Sequence, residues 1–157
     1  MTIRIARASD ADDIARLTAE LGYDVDPSRV RQTLSRILAE PHHSFLLAEA
    51  DSLTVGWLHA GISEYIETGR FVMIAGLVVR RSHRRQGIGR KLMEHAETWA
   101  REQGCSVVRL WSTAARKEAH QFYQQLGYRN IKTQYSFAKS LNADAGDDLR
   151  KFVPRIE

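Results

Sequence analysis

The order of apolar and polar positions along the chain predicts strands and amphipathic helices in a definite succession. Apolar residues alternate with polar ones, or form short unbroken runs as in strands, over residues 2–6, 44–50, 53–62, 71–79, 107–111 and 131–137. Apolar residues recur at helical spacing over about residues 9–21, 27–40, 88–103 and 117–126. The predicted order is therefore β-α-α-β-β-β-α-β-α-β, in the α/β (α+β) class.

The centre of the chain combines a buried strand, a basic loop and a helix. The run from Phe71 to Val79 is apolar and contains several β-branched residues, which favours a strand. Further on, one helical stripe is formed by Ile88, Leu92, Ala96 and Trp99. Gly104 is typical of the residue that follows a helix. The intervening loop therefore leads from a strand end into the first turn of a helix.

Cations crowd this loop and the first turn of the helix. A helix N terminus favours Asp or Glu, yet here it carries Arg90 and Lys91, and four further arginines lie upstream: Arg80, Arg81, Arg84 and Arg85. Gly87 and Gly89 have no Cβ, so an anion can approach the backbone N–H groups closely. The combination predicts a phosphate or pyrophosphate site, although each residue alone is equally typical of a solvated basic turn.

Two common phosphate-binding motifs do not fit this loop. A Walker A loop requires a hydroxyl residue directly after its lysine, and Lys91 is followed by Leu92. A dinucleotide-binding fingerprint requires a third glycine at the position of Leu92, together with an acidic residue at the end of the next strand. Neither feature is present in the sequence.

Two motifs are similar to those of the Gcn5-related N-acetyltransferase (GNAT) family. The sequence Arg84-Arg85-Gln86-Gly87-Ile88-Gly89 resembles the family's Arg/Gln-x-x-Gly-x-Gly/Ala loop. The stretch from Ala119 to Tyr128, with Phe122-Tyr123 inside it, resembles the family's second motif. The resemblance covers about residues 3–141. It implies a mixed, mostly antiparallel central sheet flanked by about four helices, in a single acetyltransferase domain over 1–141 with a tail over 142–157.

The resemblance also implies acetyl-CoA as co-substrate and a set of residues that hold it. The pyrophosphate would lie on the loop residues Arg84, Arg85, Gln86, Gly87, Ile88, Gly89, Arg90 and Lys91. The pantetheine arm would run along Leu77, Val78 and Val79. The Leu77 N–H would donate to the thioester carbonyl oxygen as it gains charge, and Tyr123 would protonate the departing thiolate. On helical periodicity alone, Tyr123 would instead be a solvated residue of an amphipathic helix.

The general base for the acceptor amine is left open by the sequence. Many relatives have a glutamate on the central strand, but Met73 and Ala75 occupy the corresponding positions. Glu64, His59 or a chain of waters are the candidates. A covalent route through Cys105 is disfavoured, because nothing near it in the sequence is suited to activate a thiol.

The acceptor is expected to be a small cationic primary amine, such as an aminoglycoside, a polyamine or an amino-acid-like compound. The family lines its acceptor site with the loop between the first two helices and with the segment before the central strand. Those segments carry Tyr23, Asp24, Glu64 and Tyr65, and carboxylates and phenols suit a cation. Alternatives are a non-catalytic acetyl-CoA-binding sensor, a protein N-acetyltransferase or a nucleic-acid-binding domain that uses the basic loop.

Composition narrows these possibilities. The chain has 157 residues, 43% hydrophobic and 27% charged, as expected of one globular domain without a membrane-spanning run or a signal peptide. Much of its net charge of +4 lies in the loop, which disfavours a general nucleic-acid surface. The single cysteine, Cys105, favours a reducing compartment such as the cytoplasm. The histidines and cysteine show no spacing typical of a metal site. The apolar residues of the tail over 142–157 suggest that the protein is a homodimer.

Overall fold

The structure is a computed structural model, and it describes residues 1–141, 149 and 152. The chain divides into two compact units, Met1–Trp111 and Ser112–Glu157. The predicted tail over 142–157 therefore lies outside the described residues, apart from Leu149 and Phe152.

A five-stranded mixed sheet forms the centre of the first unit. Its strands are β1 (Thr2–Ile5), β2 (His43–Ala50), β3 (Leu53–Tyr65), β4 (Gly69–Val79) and β5 (Val108–Leu110), in the spatial order β1-β2-β3-β4-β5. The first four pair antiparallel and β5 joins β4 in parallel. The predicted fold class is confirmed. The predicted turn between β2 and β3 is present, with positive φ at Asp51 and Ser52.

Helices cover both faces of this sheet. They are α1 (Ala11–Ala19), α2 (Pro27–Ala39) and α3 (Ile88–Glu102). Leu17 of α1 and Leu34 of α2 share a buried cluster with Trp57 of β3. The neighbouring position, Gly56, faces the other way, because a Cβ built there would lie 3.3 Å from Leu92 Cδ1 of α3. Thus α1 and α2 lie on one face of the sheet and α3 on the other.

The second unit contains α4 (Lys117–Gln125), which ends just before Gly127 at a φ of 90°. The predicted final strand over residues 131–137 is not formed. Residues 127–141 carry no regular secondary structure, and Ile131, Tyr135 and Phe137 are 72%, 91% and 91% exposed. A period-two pattern makes a strand only when a neighbour completes its hydrogen bonds, and residues 131–137 pair with no strand among the described residues.

Candidate active site

A β-bulge interrupts the central strand at its middle. Across β3 and β4, His59 pairs with Gly76 and Ala60 pairs with Ile74, which leaves Ala75 as an extra residue. Two residues of β4, Ala75 and Gly76, therefore lie opposite His59. Such a bulge bends the strand and shifts the phase of its backbone groups by one position.

The bulge coincides with the point where β4 loses its second neighbour. On the N-terminal side of the bulge, β5 pairs with β4 only from Val72 to Ile74, and Val72 N donates to Val107 O at 3.0 Å. On its C-terminal side, Arg80 N donates to Val55 O of β3 at 2.8 Å. Successive strand residues direct their backbone groups to alternate sides, so Val78 and Gly76 also face β3.

Leu77 and Val79 consequently point their N–H and C=O groups away from β3. Within the described part of the chain, no strand pairs with β4 along this edge. This edge therefore leaves the N–H and C=O of Leu77 and the N–H of Val79 without a strand partner, while the Val79 C=O accepts a hydrogen bond from Arg84 Nε. Val78, also predicted to bind the cofactor, differs, because its backbone faces β3 and its side chain is buried among α1 and α2.

The N terminus of α3 lies where the basic loop ends and presents uncapped amides. Gly87 is the N-cap residue at a φ of 78°, no side chain caps the helix, and its first turn holds no acidic residue. The first intrahelical bond runs from Lys91 N to Gly87 O at 3.1 Å. The N–H groups of Ile88, Gly89 and Arg90 therefore have no acceptor within the helix.

Charge and backbone conformation in the loop match an anion site. Arg84, Arg85, Gln86, Arg90 and Lys91 are all exposed. Arg85 is a non-glycine residue at a φ of 63°, a conformation that is uncommon for a residue with a Cβ. The predicted pyrophosphate residues therefore come together around one helix terminus, and three free amides, the helix dipole and several cations fit a diphosphate there.

Glu20, directly after α1, fixes the entry to this loop. Its Oε2 accepts a hydrogen bond from Arg81 N at 2.6 Å and lies 3.8 Å from Arg84 Nη2. The Arg84 Nε also donates to Val79 O at 3.2 Å. Arg84 thus ties the loop to the free edge of β4. Sequence reasoning did not identify Glu20, because its partners are 61 residues or more away along the chain.

A pair of histidines lies beside the bulge on the face that α1 and α2 cover. His43 Nδ1 and His59 Nε2 are 3.1 Å apart, and the His59 ring stacks on Phe45 with centroids 5.4 Å apart. Burial, with a smaller effect from His43, lowers the pKa of His59 to about 4. His59 is therefore a neutral imidazole at neutral pH.

Tyr123, the predicted general acid, belongs to α4 in the second unit. Its ring contacts those of Phe122 and Tyr128, with centroids 5.1 and 6.0 Å away. Burial raises the pKa of the Tyr123 phenol, against a smaller opposing effect from Arg116. The hydroxyl therefore keeps its proton at neutral pH, as a proton donor must.

The predicted acceptor-binding residues fall into two groups. Tyr23 and Asp24 lie in the link between α1 and α2, half-buried and exposed respectively. Glu64 and Tyr65 end β3, and Glu64 pairs with Arg70, seven residues before Leu77 on β4. That separation is about 20 Å along a strand, so the structure does not bring Glu64 and Tyr65 close to the Leu77 N–H.

Metal and membrane features are not found in the part of the chain that the structure describes. No three His, Cys, Asp or Glu side chains there are grouped so that they can share a metal ion. Among the same residues, no helix is long and apolar enough to cross a membrane.

Comparison with known proteins assigns this arrangement to a family. The family model for the Acetyltransferase (GNAT) family matches residues 10–128. The chain belongs to this family. This confirms the resemblance to the GNAT family that the two motifs predict. It also confirms that the chain is an acyl-CoA-dependent N-acetyltransferase and that acetyl-CoA is its co-substrate.

Two named relatives match nearly the whole chain. One is aminoglycoside N(6')-acetyltransferase type 1 of Acinetobacter haemolyticus, 27% identical over 90% of this chain and 100% of its own length. The other is aminoalkylphosphonate N-acetyltransferase of Salmonella typhimurium, 28% identical over 88% of this chain and 90% of its own. The crystal structure of an aminoglycoside antibiotic 6'-N-acetyltransferase from Acinetobacter haemolyticus superposes with a TM-score of 0.80, at 26% identity and over 90% and 100% of the two chains.

Proposed function

We propose that this GNAT enzyme transfers the acetyl group of acetyl-CoA to a primary amine of a small, cationic acceptor, with an aminoglycoside as the leading candidate. One observation carries the proposal: the uncapped N terminus of α3 follows directly on the free edge of the bulged strand β4. A phosphate site and a row of free strand amides are thereby joined by one short loop.

The loop residues hold the pyrophosphate. Gly87 to Arg90 supply backbone N–H groups, and Arg85, Arg90 and Lys91 supply charge. Arg84 has a second task, because its contacts with Glu20 and the Val79 carbonyl fix the loop. The pantetheine arm pairs with the free edge of β4 as an added strand would, using the backbone groups of Leu77 and the N–H of Val79.

The thioester supplies an activated acetyl group, and the chain's own residues provide the donors around it. The outward Leu77 N–H donates to the carbonyl oxygen as negative charge develops during attack by the amine. Tyr123 donates its phenolic proton to the departing sulfur. The raised pKa of Tyr123 supports this role, since it keeps the proton in place until the thiolate forms.

The acceptor is proposed from the chemistry of the relatives and from acidic and phenolic residues. Both named relatives act on compounds that carry an amine. Tyr23 and Asp24 in the α1–α2 link suit a cation with several amino groups. Glu64 and Tyr65 lie about 20 Å along the strand from Leu77 and are not part of this proposal. Asp26 has a structural task instead, because it caps α2 through Ser28 N at 3.0 Å.

The test is acetyl transfer to a panel of amines, followed through release of free thiol. The panel contains aminoglycosides, aminoalkylphosphonates, polyamines, amino acids and peptides. Turnover of an aminoglycoside supports the proposal, and turnover of peptides alone would make the chain a protein N-acetyltransferase. Calorimetric binding of acetyl-CoA without turnover of any amine would identify a sensor, and failure to bind it would remove the whole proposal.

A matched pair of variants tests the phosphate site separately. Arg90→Ala removes a cation at the first turn of α3, and Arg101→Ala removes one at the last turn of the same helix. Both side chains are exposed. Affinity for CoA should fall about tenfold in Arg90→Ala, as expected for one charge-assisted contact, and stay unchanged in Arg101→Ala. Equal effects would mean that only overall charge matters.

A homodimer and a cytoplasmic location complete the proposal. The exposed apolar residues Ile131, Tyr135 and Phe137 recur at period two, which suits pairing with a second copy of the chain. Replacing Tyr135 and Phe137 by Ser should then halve the mass measured by light scattering, and a wild-type monomer would contradict the dimer.

The proposed cytoplasmic location rests on the cysteine. The free thiol of Cys105, buried in the first unit, is consistent with a reducing compartment.

A further inference from the structure

The central strand carries no group near its bulge that can accept a proton. Ala75 and Gly76 are the two residues that the bulge sets opposite His59, and Met73 precedes them on β4. They offer a methyl group, a hydrogen atom and a thioether. A side chain that serves as base for the acceptor amine must therefore come from outside this strand.

His59 is placed to fill this gap from β3. As the partner of Gly76, it lies one residue along the ladder from Leu77, whose N–H faces the free edge. Directly opposite strand residues project to the same face of a sheet. The space over Gly76 holds the Trp57 ring, since a Cβ built on Gly76 would lie 2.7 Å from two of its carbons. Room beside the imidazole is therefore left at Ala75, which carries only a methyl group and is exposed to solvent.

His43 connects His59 to solvent. The Nε2 of His59 contacts Nδ1 of the exposed His43, which leaves Nδ1 of His59 without a hydrogen bond to the described residues. Gly61 makes this contact possible, because a Cβ built on it would lie 2.8 Å from His43 Nδ1. The His43 ring thus lies against Gly61 of β3, where a larger residue would displace it.

We propose that His59 is the general base for the acceptor amine and that His43 passes the proton on to water. This inference rests on the proposed acetyl transfer. As the amine nitrogen forms its bond to the carbonyl carbon and the carbon–sulfur bond breaks, the nitrogen's proton moves to Nδ1 of His59. The Nε2 proton of His59 moves to Nδ1 of His43, and His43 releases its own Nε2 proton to solvent.

The environment of His59 suits this task. An imidazole that stays neutral at neutral pH always has a lone pair available. A weak base suffices, because the amine nitrogen becomes strongly acidic once it bonds to the carbonyl carbon. Glu64 is less suitable, since it lies five residues further along β3 on the opposite face, about 17 Å away by strand geometry.

The experiment compares three glutamine variants with the amine that the wild-type enzyme turns over. Glutamine keeps the size and hydrogen bonding of histidine but cannot accept a proton at neutral pH. His59→Gln should lower kcat by about 10²-fold and leave acetyl-CoA affinity unchanged. His43→Gln should lower kcat less. His42→Gln is the matched control on a neighbouring exposed histidine, and it should behave as wild type.

Chemical rescue separates a base from a structural residue. Added imidazole should restore part of the activity of His59→Ala, because it can occupy the vacated space and accept the proton. It should not improve the wild type or His42→Gln. Calorimetric binding of acetyl-CoA and circular dichroism establish that the variants are folded.

The outcomes divide clearly. If kcat of His59→Gln equals that of His42→Gln, the inference is overturned. It is also overturned if folded His59→Ala loses activity and added imidazole does not restore any of it. If neither His59 variant folds, His43→Gln decides, and activity equal to the control overturns the relay. A wild-type enzyme that acetylates no amine refutes the proposed function itself, whereas active His59 variants refute only the base.

Discussion

Burial of His59 predicts an acid-sensitive fold. The folded protein lowers the pKa of this imidazole from 6.5 to about 4, mainly by burial. A lowered histidine pKa means that the unfolded chain binds the proton more readily, so stability is complete above pH 6.5 and declines as the pH falls towards 4. The full effect corresponds to about 3 kcal/mol, of which about 2 kcal/mol is lost between pH 7 and pH 5.

The window between pH 7 and pH 5 isolates this group from the carboxylates. Asp10, whose pKa is lowered mainly by hydrogen bonds from Arg4, also stabilises the fold, but that contribution is lost only below about its ordinary value of 3.8. Urea unfolding at both pH values should therefore give a smaller loss in His59→Gln than in wild type, by about 2 kcal/mol. Equal losses in the two proteins would falsify the reasoning, as would an NMR titration of His59 with a midpoint near 6.5.

Three further predictions concern the site. Gly89→Val should weaken CoA binding at least about tenfold in calorimetry, because a branched side chain obstructs the amides of the α3 N terminus; unchanged affinity would contradict the phosphate site. Tyr123→Phe should lower kcat about 10²-fold with acetyl-CoA affinity intact, and full activity would show that water protonates the thiolate. Gly76→Ala should lower the free energy of unfolding by about 1–3 kcal/mol, since its methyl group would lie 2.7 Å from two ring carbons of the buried Trp57; an unchanged melting curve would mean that the bulge relaxes freely.

Local patterns were sufficient to predict most elements and the phosphate loop. The loop was recognisable because its signals are adjacent in sequence: an apolar run, several cations, two glycines and a helical stripe. Of the predicted α3 stripe, Ile88, Leu92 and Ala96 are buried and Trp99 is half-buried. Helices, strands and a loop of this kind are determined by residues that are close together along the chain, so they can be predicted from the sequence alone.

The bulge in β4 was not predicted, because the run from Phe71 to Val79 is apolar throughout. A bulge shifts the alternation of apolar and polar residues along a strand by one position. A run that is apolar throughout has no such alternation, so an extra residue in it cannot be recognised from the sequence. Gly76 was the one available signal, since a glycine inside a strand often marks a bulge or a close approach. In the structure Gly76 lies at the bulge and also in close approach to the Trp57 ring.

The histidine pair shows why the rest of the site could not be predicted. The turn after Ala50 sets Ala50 opposite Leu53, and an unbroken hairpin would then place Ser44 opposite His59. His43 and His59 would lie on opposite faces of the sheet. A second bulge, between Ala48 and Glu49, shifts the register by one residue and sets Phe45 opposite His59 instead. One inserted residue therefore moves both imidazoles to the same face, so the contact that we propose as a proton relay depends on an irregularity that no periodic pattern records.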